Sequence, residues 1–104
     1  MYKRQDEYLG TLERTLAPML DEHRPELVLY QAGVDPFAGD RLGRLALSLD
    51  GLIAREQLVA GLMQARGIPI ASTVGGGYGD DALDIARRHV TAILTLGRAL
   101  GQAP

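Results

Sequence analysis

The stretch Leu27-Val28-Leu29-Tyr30-Gln31-Ala32-Gly33-Val34-Asp35-Pro36-Phe37-Ala38-Gly39-Asp40 decides the fold. Its first five residues, Leu27 to Gln31, fit a short strand covered on both faces of a parallel sheet, and Asp35 is the first acid of the loop that follows. In open α/β sheets, ligands bind in the crevice outside the carboxyl ends of the strands. A second apolar run, Ile68-Pro69-Ile70-Ala71-Ser72-Thr73-Val74, ends in Gly75-Gly76-Gly77-Tyr78, so a phenol follows a glycine turn in the corresponding place. Two strand ends, one carrying an acid and one a phenol, define the candidate site.

Helical patterns surround these strands. From Asp6 to His23 the apolar residues Leu9, Leu12, Leu16, Met19 and Leu20 mark one face of an amphipathic helix. Pro18 is expected to kink or divide it, and Pro25 marks its exit. Glycines and a proline fill the loop through about Gly43. Ser48-Leu49-Asp50-Gly51 then offers capping chemistry for a helix whose stripe, Leu52, Ile53, Leu58, Val59, Leu62 and Met63, runs up to Gly67. Asp80 and Asp81 suit the start of a last helix, with Leu83, Ile85, Ala86, Val90, Ile93, Leu94 and Leu96 as its stripe. The order predicts an α/β fold: a βαβ unit with parallel strands and flanking helices, one of them in front. Two strands make a poor complete sheet, since both outer edges expose backbone groups and the faces need cover. Self-association, or the rest of a larger domain, would supply that cover.

Eleven basic and thirteen acidic residues give a net charge of -2, and no stretch concentrates Lys or Arg. Direct binding of nucleic acid is therefore not expected. Without cysteine there are no disulfides and no thiolate metal sites. The amino-terminal residues lack the apolar core of a signal peptide, and no segment has the length of a membrane span. These features predict a cytoplasmic chain with no membrane partner.

Tyr30-Gln31-Ala32-Gly33-Val34-Asp35-Pro36 with Ala38-Gly39-Asp40-Arg41-Leu42-Gly43, then Leu47-Ser48-Leu49, Gly67-Ile68-Pro69 and Gly75-Gly76-Gly77-Tyr78, resemble the C-terminal part of zinc-dependent histone deacetylase and acetoin-utilisation proteins. The resemblance covers roughly residues 6 to 96, with the motifs in family order, and it implies the C-terminal portion of the arginase/deacetylase fold. Residues 1–104 then form a single partial domain, a C-terminal fragment. The resemblance further implies that Asp35 is one of three zinc ligands, a role that suits a carboxylate. It implies that the Tyr78 hydroxyl stabilises the oxyanion of an acyl substrate, and that Gly76 and Gly77 line the acyl-lysine channel.

In that family the other two zinc ligands come from an Asp-x-His motif and the proton-transfer groups from a His-His pair, both earlier in the domain. His23 and His89, the two histidines here, are expected in helix-surface or packing roles. A single carboxylate would hold zinc weakly. The cofactor thus belongs to the complete domain and is not expected to be tightly bound by this chain alone. An acetylated substrate is expected only when a missing N-terminal deacetylase segment completes the site, and no activity is expected of the chain by itself.

Overall fold

The computed structural model describes residues 3–33, 48–75 and 81–101, with side chains from residue 5 onward. Three helices and two strands alternate as α1 (Lys3–His23), β1 (Val28–Gln31), α2 (Leu49–Arg66), β2 (Ile70–Thr73) and α3 (Ala82–Ala99). The strands are parallel, with Val28 opposite Ile70 and Gln31 opposite Thr73. The α/β class and the βαβ order expected from the sequence are both present.

Local chemistry explains where the elements begin and end. Ser48 caps α2 by accepting a hydrogen bond from the Gly51 amide at 3.0 Å, which satisfies one of the helix's orphan donors. Ser48 is itself held by Gln5 of α1, whose Oε1 accepts from the Ser48 amide at 3.0 Å and from its hydroxyl at 2.9 Å. At the other end of α2, Gly67 takes the left-handed conformation, φ 63° and ψ 30°. The Gly67 and Ile68 amides donate back to the Gln64 and Met63 carbonyls, as a helix ending on glycine requires. Asp81 caps α3 through Oδ1, which accepts from the amides of Leu83 and Asp84.

Pro18 does not divide the first helix: α1 runs unbroken from Lys3 to His23. Pro18 lies on the exposed side, where water can satisfy the carbonyl that loses its partner. The strands are shorter than the apolar runs suggested, and Leu27, Ile68, Pro69 and Val74 fall outside them.

Helix α2 is the centre of the packing. Leu20, Val59 and Met63 form a buried cluster with Leu12, Leu16, Val28, Tyr30, Leu62, Ile68 and Ile70, so α1 and α2 cover one face of the strand pair. Leu52 and Ala92, with Tyr8 against them, join α2 to α3. Burying a side chain such as Leu52 or Met63 contributes about 1.5–3 kcal/mol relative to leaving it exposed.

The other face of the strand pair differs from expectation. Leu29 is 79% exposed and Ala71, its partner in register, is exposed too, so among the described residues the strands are covered on one face only. Helix α3 differs in a similar way. It turns Arg88, Ala92 and Leu96 inward, four residues apart, and leaves Leu83, Val90 and Ile93 exposed.

Candidate functional site at the carboxyl ends of the strands

A parallel pair in phase brings both following segments out at the same end. The Ala32 amide donates to the Thr73 carbonyl at 2.8 Å, extending the ladder one step past β1. Gly33 then leads towards Asp35, and Gly75 leads into Gly76, Gly77 and Tyr78. Asp35, Gly76, Gly77 and Tyr78 themselves lie outside the described residues. The two lead-in segments touch: a Cβ on Gly75 would stand 2.8 Å from Nε2 of Gln31.

Beneath this end lies a buried polar cluster that the sequence reading did not anticipate. Arg55 and Glu56, adjacent in α2, are 4% and 0% exposed. Arg55 Nε donates to Glu56 Oε1 at 2.7 Å, and Arg55 Nη1 donates to the Gly33 carbonyl at 2.6 Å. The Tyr30 hydroxyl donates to the same Glu56 oxygen at 2.5 Å. The Arg55 guanidinium carbon also stands 5.8 Å from the centre of the Tyr30 ring, within range of a cation–π attraction. A sequence signal did exist. Arg55 and Glu56 sit three and four residues after Leu52, on the stripe that continues through Val59 and Met63.

The electrostatics follow from burial. Burial pushes the Tyr30 phenol well above its ordinary range, Arg55 pulls the other way, and Glu56 adds to the rise. Burial also works against the charge on Arg55, but the Tyr30 oxygen and the Glu56 carboxylate outweigh it and hold the guanidinium above its usual value. The cluster is thus a neutral phenol between two groups of opposite charge.

No group of three His, Cys, Asp or Glu side chains able to hold a metal occurs among the described residues. The triplet Asp21-Glu22-His23 does have Asp-x-His spacing. It lies in the last turn of α1, ahead of the amino end of β1, and so at the opposite end of the sheet from Gly33 and Gly75. Its Asp21 is already engaged by Arg66, through Nε at 2.7 Å and Nη2 at 3.1 Å, and Arg66 holds its carboxyl below the usual range. His89 is half-buried in α3. The described residues therefore do not form a zinc site. An open cavity of about 560 Å³ lies at that opposite end, lined by Leu20, Asp21, Arg24, Arg66 and Ile68 among others, and none of the candidate site residues borders it.

Residues 2–94 match the histone deacetylase domain family, and the chain belongs to that family. It is 45% identical over 84 residues to an uncharacterised protein of Picosynechococcus sp., a match spanning 81% of this chain and 28% of that protein. It is 40% identical over 73 residues to histone deacetylase 2 of Arabidopsis thaliana, covering 70% of this chain and 19% of the relative. Against histone deacetylase RPD3 of Saccharomyces cerevisiae the identity is 31% over 71 residues, 68% of this chain and 16% of the relative. The chain thus spans less than a third of the length of these relatives.

Proposed function

We propose that this chain contributes the carboxylate and phenol half of a zinc-dependent deacetylase site that removes acyl groups from acetyl-lysine or acetylated amines. Asp35 supplies one carboxylate to the metal, and the Tyr78 hydroxyl donates a hydrogen bond to the acyl oxygen as negative charge develops there. Gly76 and Gly77 let the backbone approach the acyl chain closely. The remaining ligands and the proton-transfer histidines come from a deacetylase segment outside these residues, in a cytoplasmic protein. The supporting observation is the in-phase parallel register, which brings Gly33 and Gly75, the residues that lead in sequence to Asp35 and Tyr78, to one end of the sheet.

Complementation tests this reading. The chain is mixed with an N-terminal deacetylase segment bearing the Asp-x-His and His-His motifs, zinc, and an acetyl-lysine peptide or acetylpolyamine. Acetate release is expected. It should be lost with Asp35→Asn and reduced about 10²- to 10³-fold with Tyr78→Phe, the usual effect of removing an oxyanion donor. A stable complex that releases no acetate overturns the proposal.

A second reading, a non-catalytic module that self-associates, is favoured by the exposed strand face at Leu29 and the exposed Leu83, Val90 and Ile93 of α3. Exposed apolar patches of this kind mark interaction surfaces. Light scattering at high micromolar concentration tests it, and a strictly monomeric folded species counts against it.

A further inference from the structure

We infer that Arg55 is a positioning residue for the segment that carries Asp35: it fixes the Gly33 peptide from which that segment departs. The inference rests on the reading of Asp35 given above and deepens it. The strand ladder ends with the bond between Ala32 and Thr73. The carbonyl of the following residue, Gly33, finds its donor in α2, at Arg55 Nη1, 2.6 Å away. Glycine permits many backbone conformations, so a charged donor at that peptide selects one of them.

Arginine is suited to this because its planar fork reaches two acceptors at once. Nε holds Glu56 while Nη1 holds Gly33. Glu56 is anchored in turn by the Tyr30 hydroxyl, so the fork is fixed on its far side by β1 itself. Arg55 and Glu56 are buried and Tyr30 and Gly33 half-buried, so these bonds are stronger than they would be in water. Helix α2 thereby sets the exit of β1 from 22 residues further along the chain.

The competing account makes Arg55 a mere counter-charge for buried Glu56. Arg55→Lys separates the two, since a lysine keeps the charge but has one compact head and cannot span both acceptors. In the isotope-labelled 104-residue chain, exchange of the Ala32 amide, which closes the ladder on the Thr73 carbonyl, is expected to quicken by about tenfold or more, as for a local opening. The Gly33 carbonyl resonance should move with it, while amides of Val59 and Met63 keep their native exchange rates. Unchanged exchange at Ala32 together with an unchanged Gly33 carbonyl shift would overturn the inference, and so would an acceleration spread evenly over α2 and β1.

If Arg55→Lys does not fold, the native protein decides. A scalar coupling across the bond from Arg55 Nη1 to the Gly33 carbonyl is expected, and a freely rotating guanidinium overturns the inference. Failure of acetate release in the complementation experiment would strike the role of Asp35 and leave these measurements standing.

Discussion

Gln31 and Gly75 meet at the carboxyl ends of neighbouring strands, close enough that a methyl group on Gly75 would press on the Gln31 amide. That Cβ would stand 2.8 Å from Nε2 but 3.5 Å from Cγ, so only the flexible end of the glutamine has to move. Gly75→Ala should change stability by no more than about 0.5 kcal/mol, as surface substitutions usually do. The side-chain amide resonances of Gln31 should nevertheless shift. Thermal melts and amide spectra of Gly75→Ala check both halves of this expectation.

Tyr30 couples the fold to alkaline pH. Its phenol is neutral in the folded chain because burial, aided by Glu56, raises its pKa above the ordinary value of 10.0. Above that value the unfolded chain binds fewer protons than the folded one, so stability is full below it and falls as pH rises. Melting temperatures should decline as pH rises from about 10 upward, and Tyr30→Phe should flatten the part of that decline due to this phenol. At neutral pH the same substitution removes a hydrogen bond to a buried carboxylate and should cost about 1.5–3 kcal/mol.

Ser48 and Gln5 should show strong coupling. Ser48→Ala removes the α2 cap and should cost about 1 kcal/mol. Gln5→Ala removes the acceptor for both the Ser48 amide and its hydroxyl. Each change breaks part of the same linkage, so the double variant should lose less than the sum, by about 0.5 kcal/mol or more. Urea unfolding of the four proteins measures the difference, and strict additivity would contradict a shared linkage.

Arg24 is a stabilisation target. It ends α1 at φ 47°, the left-handed region, with its amide donating to the Leu20 carbonyl at 2.9 Å. A side chain costs roughly 1–2 kcal/mol in that conformation and glycine does not carry that cost. Glycine gives part of the gain back through the freedom of the unfolded chain. Arg24→Gly should therefore raise stability by about 0.5–1 kcal/mol, read from a urea midpoint that moves up with unchanged slope.

Much of the fold was legible because local chemistry and tertiary packing agree. Ser48, Gly67 and Asp81 end their helices where the sequence placed them, and the two apolar runs are the parallel strands. Disagreement arose where burial depends on partners distant in sequence. Arg55 and Glu56 drew no reading from the sequence, and their burial makes sense only once Tyr30, 26 positions before Glu56, supplies a hydroxyl. Leu83, Val90 and Ile93 read as core, but α3 turns Ala92 and Leu96 inward, with Ile93 about a quarter-turn and Leu83 and Val90 nearly half a turn away from them. Leu29 followed the same logic, since an apolar residue in a strand cannot announce whether its side of the sheet is covered. Of the site, the sequence supplied the residue types, and the fold supplies the common end from which Gly33 and Gly75 lead to them.

Because Gln31 stands opposite Thr73, the segments that follow begin one interstrand spacing apart, about 4.8 Å, whatever residues they contain. Their starting points belong to the scaffold and their chemistry to the inserts. Such a junction works as a socket: sequences can be exchanged there as cassettes without asking the helices beneath to repack.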